Sequence, residues 1–165
     1  MQKSKKIVLV GHFGVGKTSL IRRFVKNEFS NNYQVTIGVH ITKKEVQIEA
    51  DKSINLIIWD LEGTDDLRTM RPSYLMGSHG AIFVFDVSRP STFQNLNEDL
   101  ALVNDRLNKV PLLVVGNKID LVNKEDLDSL LQEHQISNHF LTSAKEGTAV
   151  DSLFTKMAKM VYGHD

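Results

Sequence analysis

A glycine-rich segment near the start of the chain carries the residue types that bind phosphate. Residues 11–18 read GHFGVGKT and fit the pattern G-x-x-x-x-G-K-[ST], placed between an apolar run and a helical pattern. Glycines in this pattern let backbone N–H groups converge on phosphate oxygens, the lysine reaches the terminal phosphates, and the hydroxyl can ligate Mg²⁺. We therefore expect a nucleoside triphosphate to bind at His12, Phe13, Gly14, Val15, Gly16, Lys17, Thr18 and Ser19.

A second segment carries groups that suit one particular base. Asn117, Lys118 and Asp120, with Leu121 next in sequence, directly follow an apolar run at residues 112–115. A carboxylate there can accept hydrogen bonds from the ring NH and the exocyclic amine of guanine, whereas adenine would present a lone pair to it. The Lys118 stem can pack along the base. Asn and Asp also favour turns, so a loop in which Asp120 caps the next helix is the less favoured alternative for this segment taken alone.

Two weaker segments suit the same ligand. Residues 60–63 fit D-x-x-G, in which Asp60 can hold Mg²⁺ through water and the Gly63 N–H can meet a γ-phosphate. Residues 142–145 read TSAK, and their backbone can contact the guanine carbonyl at Ser143, Ala144 and Lys145. Asp, Gly and Ser are ordinary turn residues, so neither segment is specific by itself.

The remaining pattern predicts the elements that must position these segments. Short apolar runs typical of strands in a parallel sheet occur at residues 7–10, 56–59, 81–85 and 112–115. Helical stripes of apolar residues lie at 20–25, 93–107, 127–131 and 150–161, and we expect Ser91 to cap the second. Residues 38–58 predict an antiparallel hairpin. All four segments then lie at the carboxyl ends of strands, where open α/β sheets bind ligands.

This alternation predicts an α/β fold of three layers and a single domain over residues 1–165. Together, the four segments resemble the Ras-like small GTPases, and more closely the Rab branch, over essentially the whole chain. Residues 33–39 resemble the first switch of that family, residues 59–63 resemble the start of the second, and residues 76–88 are also Rab-like. The resemblance implies the P-loop GTPase fold, with a six-stranded, mostly parallel sheet, one antiparallel edge hairpin and about five helices.

The resemblance also implies roles for individual residues. Thr36 would give its hydroxyl to Mg²⁺, beside Thr18 and Asp60, and its N–H to the γ-phosphate. Phe29 would lie across the guanine ring, although it also fits a core residue that ends the first helical stripe. The catalytic residues would be Lys17, Thr36, Gly63 and Thr64, close to the reacting phosphate.

GTP with Mg²⁺ would order residues 29–38 and 61–76, and loss of the γ-phosphate would release them. Effector, exchange-factor and activator proteins would recognise residues 29–41 and 59–76.

Three positions depart from the family pattern. Thr64 stands where a glutamine usually orients the attacking water, Glu62 where alanine is common, and Phe13 where relatives have a small residue. These changes favour slow hydrolysis of GTP to GDP and resistance to an activator's arginine finger, or else a module that only holds GTP. The Rap branch also has threonine at the Thr64 position, so stimulated hydrolysis stays open. His12, also in the glycine-rich segment, could contribute, although a lone loop histidine is far more often an exposed bystander.

Composition excludes several other classes of protein. The 165 residues include 20 basic and 20 acidic side chains, so no basic excess favours nucleic acid. Cysteine is absent and Gln2 is the second residue, which excludes disulfides, thiolate metal sites, cysteine lipidation and N-myristoylation. We expect a cytoplasmic monomer that reaches membranes only through partners or a missing segment. A P-loop ATPase or kinase is disfavoured by Asn117 and Asp120.

Overall fold

A computed structural model describes residues 2–32, 35–64, 66–137 and 139–164 of the chain. Six strands occur among these residues: β1 Lys3–Gly11, β2 Val39–Glu49, β3 Lys52–Leu61, β4 Gly80–Asp86, β5 Leu112–Asn117 and β6 His139–Leu141. The same residues contain five α-helices: α1 Lys17–Lys26, α2 Pro72–Leu75, α3 Leu96–Arg106, α4 Lys124–Glu133 and α5 Val150–Gly163. Short 3₁₀ turns lie at Leu67–Thr69, Pro90–Thr92 and Ile119–Leu121.

The strands form one mixed sheet in the order β2-β3-β1-β4-β5-β6. Strand β1 pairs in parallel with β3 and β4, and β5 pairs in parallel with β4 and β6. Strand β2 runs antiparallel to β3, from the pair Val39 and Leu61 to the pair Glu49 and Lys52. This topology confirms the predicted Ras-like α/β fold, including the antiparallel edge hairpin.

Helices cover both faces of the sheet because successive side chains of its central strands point in opposite directions. In β1, Ile7 and Leu9 pack into the core that contains α1 and α5, whereas Val8 and Val10 pack into the core that contains α3 and α4. All seven residues of β4 are buried. The continuous apolar runs in the sequence are therefore strands covered on both sides, as expected for a parallel sheet.

The predicted start of α3 is wrong. Ser91 does not cap this helix, since it lies within the Pro90–Thr92 turn and α3 begins at Leu96. The Thr92 hydroxyl donates to the Arg89 carbonyl and accepts the Asp86 N–H, at 2.8 and 3.0 Å. These bonds hold the chain in a tight turn after β4, so the helix cannot begin at Pro90. Within the described residues, no helix has the length and apolar character that crossing a bilayer requires.

Candidate functional site

A cavity of about 310 Å³ lies at the carboxyl edge of the sheet, where the loops that follow β1, β3 and β5 meet. Most of the residues predicted to bind the cofactor line it. They are Phe13, Gly14, Val15, Gly16, Lys17, Thr18, Ser19, Phe29, Thr36, Gly63, Asn117, Lys118, Asp120, Leu121, Ala144 and Lys145. The fold therefore brings together residues from all four segments that the sequence analysis assigned to ligand binding.

The glycine-rich loop closes tightly over the start of α1. Gly16 precedes the helix with a φ of +101°, a left-handed conformation that favours glycine. A Cβ atom on Gly16 would also lie 2.3 Å from the Asn117 amide nitrogen, so space alone excludes other residues. The buried Lys17 ammonium lies 3.4 Å from the His12 carbonyl, across the loop. Burial lowers the pKa of Lys17 to about 8, opposed by the charge of Asp60.

The three predicted metal ligands meet beside this loop. The Thr18 hydroxyl donates to Asp60 Oδ2 at 2.6 Å and lies 2.8 Å from the Thr36 hydroxyl. Asp60 is buried, and burial raises its pKa despite the bond from Thr18 and the charge of Lys17. Its Oδ1 atom is buried without a hydrogen-bond partner among the described residues.

This donor set fits magnesium. Two hydroxyls and one carboxylate are hard oxygen ligands, and Mg²⁺ is commonly held by few protein oxygens together with water and phosphate. The orphaned Asp60 oxygen is an acceptor that a cation or its water would satisfy. The described residues contain no group of three histidine, aspartate or glutamate side chains able to hold a metal by themselves.

The Asn117 side chain joins three loops that line the cavity. Its amide group donates to the Val15 carbonyl at 3.1 Å, and its oxygen accepts from the Thr142 hydroxyl and the Ala144 N–H. This one side chain therefore links the glycine-rich loop of residues 11–18, called the phosphate loop below, to the end of β5 and to the TSAK segment. Its hydrogen bonds hold the three in fixed relative positions.

Asp120 lies beside it with its carboxylate held by a hydroxyl. Asp120 Oδ1 accepts from Ser143 at 2.7 Å, so Ser143 does not line the cavity but orients a residue that does. The alternative role for Asp120 as a helix cap is wrong, because Asn123 caps α4 by accepting the Asp126 N–H at 2.8 Å.

An ion pair under the phosphate loop was not predicted from the sequence. Lys118 donates to the Gly14 carbonyl at 2.7 Å, and its ammonium lies 2.9 Å from Asp86 Oδ2. Asp86 is fully buried at the end of β4. Arg89 then donates to the Phe13 carbonyl at 2.9 Å. The only signal for this support was the Rab-like pattern of residues 85–88, which gave no role to Asp86.

Phe29 lines the cavity and is not part of α1, which ends at Lys26. Its placement favours the ligand-facing role over the alternative of a core residue that ends the helical stripe. Other cavity residues gave no sequence signal of their own, namely Arg22, Ser30, Asn31, Asn32 and Leu61. Arg22 lies one helical turn beyond Thr18, and that spacing is the signal that would have found it.

Two predicted residues turn away from the cavity. The His12 imidazole lies 3.1 Å from Asp99 Oδ2 on α3, and its ring does not line the site. The Thr64 hydroxyl donates to the Asp66 carbonyl at 3.0 Å and lies 3.1 Å from the Thr69 hydroxyl. Asp65 and the first-switch residues Tyr33 and Gln34 are outside the described residues. Gly63 packs so closely on the loop that a Cβ there would lie 2.7 Å from Phe13 Cα.

The fold and the arrangement of loops define a P-loop nucleotide-binding class of protein. The sequence matches the Ras family over residues 6–163, and the chain belongs to that family. It is 35% identical over 167 residues to Ras-related protein Rab-32B of Dictyostelium discoideum, which covers 94% of this chain and 64% of Rab-32B. It is 37% identical over 160 residues to Ras-related protein Rab-13 of Bos taurus, which covers 93% of this chain and 78% of Rab-13.

The chain therefore spans just under two thirds of the length of Rab-32B. Membership of the Ras family implies a GTP-binding switch that engages regulators and effectors. The Rab relatives agree with the Rab-like motifs of the sequence.

Proposed function

We propose that this chain is a Mg²⁺-dependent guanine-nucleotide switch that hydrolyses GTP to GDP slowly. One observation supports the nucleotide assignment. The Asn117 side chain bonds both to Val15 in the glycine-rich loop (residues 11–18) and to Ala144 in the TSAK segment. In the TSAK segment, the Ser143 hydroxyl orients the Asp120 carboxylate. Phosphate recognition and base recognition are thus built as one unit. A carboxylate at Asp120 pairs with the two donors of guanine and leaves adenine unsatisfied.

The proposed site uses this chain's residues as follows. Backbone N–H groups of residues 13–19 and the Lys17 ammonium bind the phosphates. Thr18, Thr36 and Asp60 hold Mg²⁺, which offsets phosphate charge when it is bound. Thr36 and Gly63 direct backbone N–H groups to the terminal phosphate. The guanine ring packs between Phe29 and the Lys118 stem, and Asp120, Leu121 and the backbone of residues 143–145 surround its edge.

Slow hydrolysis is supported by the orientation of Thr64. Its hydroxyl is bonded within its own turn and does not line the cavity. Threonine also lacks the amide that would hold a water and a phosphate oxygen together. Phe13 lines the cavity and is 38% exposed, and a bulky ring at this position can obstruct an activator's arginine.

The bound nucleotide of the purified protein tests this proposal directly. The protein is purified in Mg²⁺ without added nucleotide and denatured, and the released nucleotide is identified by ion-exchange chromatography. GDP is the expected result, because slow hydrolysis still converts GTP during growth and purification. Adenine nucleotide, or no nucleotide, would contradict the base assignment.

The second candidate function is a module that holds GTP without cleaving it. The Thr64 hydroxyl, which is bonded within its own turn, and the exposed Phe13 ring favour it. Mostly GTP in the same chromatogram, with no hydrolysis over many hours, would support this candidate instead.

Partner recognition is proposed at residues 29–41 and 59–76. Ile37 and Met76 are 81% and 74% exposed there, and Trp59 and Tyr74 in the same segments are half-buried. Contiguous exposed apolar surface marks protein interaction sites, and these side chains supply apolar surface in both segments. We further propose a single cytoplasmic domain over residues 1–165 that acts as a monomer.

A further inference from the structure

The end of the first switch and the start of the second are joined by two hydrogen bonds. The Glu62 N–H donates to the Gly38 carbonyl at 2.9 Å, and the Gly38 N–H donates to Glu62 Oε2 at 3.1 Å. The β2–β3 ladder ends at the pair Val39 and Leu61, so Gly38 and Glu62 are the next pair along it. The two bonds therefore extend the ladder by one residue on each strand.

The second of these bonds replaces a backbone bond with a side-chain bond. In an antiparallel ladder, a hydrogen-bonded pair exchanges two N–H···O=C bonds. Here one carbonyl is replaced by the Glu62 carboxylate. Gly38 has a φ of +74°, so the backbone leaves regular strand geometry at this residue. The flexible Glu62 side chain can still reach the Gly38 N–H at that point. An alanine at this position has no side-chain acceptor.

We propose that Glu62 is a positioning residue that holds Gly38, and with it Thr36, against the start of the second switch. Thr36 lies two residues before Gly38, and its hydroxyl is 2.8 Å from that of Thr18. The carboxylate is used on Gly38 and does not line the nucleotide cavity. It therefore acts on the phosphate end through the backbone of the first switch.

This role has a consequence for the switch cycle and rests on the proposed function. The bonds between Gly38 and Glu62 involve no atom of the nucleotide. They persist when the γ-phosphate is lost, whereas the contacts of Thr36 with that phosphate do not. The first switch is consequently released less completely in the GDP form, and GDP leaves more slowly than it would without Glu62.

Amide hydrogen exchange tests the bond itself. The exchange rate of the Gly38 N–H is measured by NMR in the Mg²⁺–GDP form of the wild type, Glu62→Ala and Glu62→Gln. Glu62→Ala should exchange about fivefold faster, the value of one ordinary hydrogen bond. Glu62→Gln keeps an acceptor oxygen and should stay close to the wild type. Glu49→Ala, which removes an exposed carboxylate at the other end of the hairpin, is the matched control and should have no effect.

Nucleotide dissociation tests the consequence. Glu62→Ala should release a fluorescent GDP analogue several-fold faster, with a smaller effect on a non-hydrolysable GTP analogue, because the γ-phosphate then holds Thr36 independently. A general loss of stability would accelerate both alike, and that result would overturn the proposal. So would unchanged exchange at Gly38, or Glu62→Gln behaving like Glu62→Ala. If the wild type binds no guanine nucleotide, the proposed function fails, and Gly38 exchange in the nucleotide-free protein still decides whether the bond exists.

Discussion

At the scale of single residues, Asp120 is the side chain on which the proposed choice of base depends. The Ser143 hydroxyl orients its carboxylate, and the adjacent Asn117 fixes the loop. Inosine triphosphate lacks the exocyclic amine of GTP, so it removes one hydrogen bond to a charged acceptor. Such a bond contributes about 1.5–3 kcal/mol, and we expect roughly 10- to 100-fold preference for GTP over ITP.

Asp120→Ala should bring that preference close to one, because both ligands then lose the same partner. Competition against a fluorescent guanine nucleotide measures the ratio in each protein. Glu125→Ala, in the first turn of α4, removes a similar charge nearby and is the control. Full preference for GTP in Asp120→Ala would assign base recognition to other residues.

Thr64 is the residue that should limit the rate of hydrolysis. Its hydroxyl is bonded to the Asp66 carbonyl and lies next to the Thr69 hydroxyl. Thr64→Gln introduces an amide long enough to orient water, and we expect single-turnover GTP hydrolysis to rise about tenfold or more. GTP affinity should stay unchanged. Thr64→Ala is the control and should hydrolyse at the wild-type rate. A large loss of rate in that variant would show that the threonine itself takes part.

The sequence predicted the residues that a local pattern defines, and it missed those that depend on pairing between strands. The phosphate loop is specified by glycine spacing within eight residues, so its position needed no tertiary information. Asp86 supports Lys118 because β4 and β5 are in register at Asp86 and Asn117, which no local motif encodes. The contact between Glu62 and Gly38 depends in the same way on the register of β2 and β3.

At the scale of elements, His79 joins the segment after α2 to β1. Its backbone N–H donates to the Lys6 carbonyl at 2.8 Å, and its Nδ1 atom accepts the Lys6 N–H at 3.0 Å. Burial lowers the pKa of His79, and the charges of Lys5 and Lys6 lower it further. The neutral ring is therefore the form that the folded protein stabilises.

This arrangement predicts a loss of stability in mild acid. Below the ordinary histidine pKa of about 6.5, the unfolded chain takes up a proton that the folded ring resists, so the free energy of unfolding falls as the pH falls. His79→Asn keeps an acceptor in place of Nδ1 but cannot titrate. Urea unfolding at pH 7.5 and 5.5 should show a smaller loss for His79→Asn than for the wild type.

His139 contributes to the same trend, because burial lowers its pKa as well. His40→Asn, which removes an exposed imidazole on β2, is the matched control for the loss of a histidine. An equal loss in His79→Asn and the wild type would show that His79 is not the titrating group.

Elements were predictable where the apolar pattern is continuous and less so where short turns intervene. Each run expected to be a buried strand lies within β1, β3, β4 or β5. Around α3, the apolar stripe begins at Phe93, but the side chain of Thr92 closes a turn that delays the helix to Leu96. The hydrogen bond from the Asp86 N–H in β4 to the Thr92 hydroxyl sets that boundary. The spacing of apolar residues along a helix gives no information about such a bond.

At the scale of the whole molecule, the buried charged groups of the proposed nucleotide site lower the free energy of unfolding of the ligand-free protein. Lys17 is buried with its pKa lowered to about 8, and burial raises the pKa of the neighbouring Asp60. Both shifts show that the folded protein disfavours the charged forms, each of which a phosphate or a cation would stabilise. Nucleotide and Mg²⁺ should therefore raise the unfolding midpoint strongly, as expected for ligands that bind only the folded state.

Lys17→Met tests this cost, because it removes the buried charge and keeps the volume of the side chain. Below about pH 8, lysine is protonated in both folded and unfolded states, and the burial cost is present in full. That cost is on the order of 3 kcal/mol, so Lys17→Met should unfold at higher urea than the nucleotide-free wild type at pH 7. As the pH rises from about 8 toward 10.5, the folded lysine loses its proton first, and the difference should shrink.

Added GDP and Mg²⁺ should reverse the order of stability of the two proteins, since the variant has lost the charge proposed to bind phosphate. Lys52→Met, at an exposed lysine paired with Glu49, is the control and should gain no stability. If nucleotide-free Lys17→Met were less stable than the wild type at pH 7, Lys17 would stabilise the empty fold through Asp60. The attraction between Lys17 and Asp60 would then offset the cost of burying both charges in the ligand-free protein. The affinity for nucleotide would come mainly from new contacts and less from neutralising buried charge.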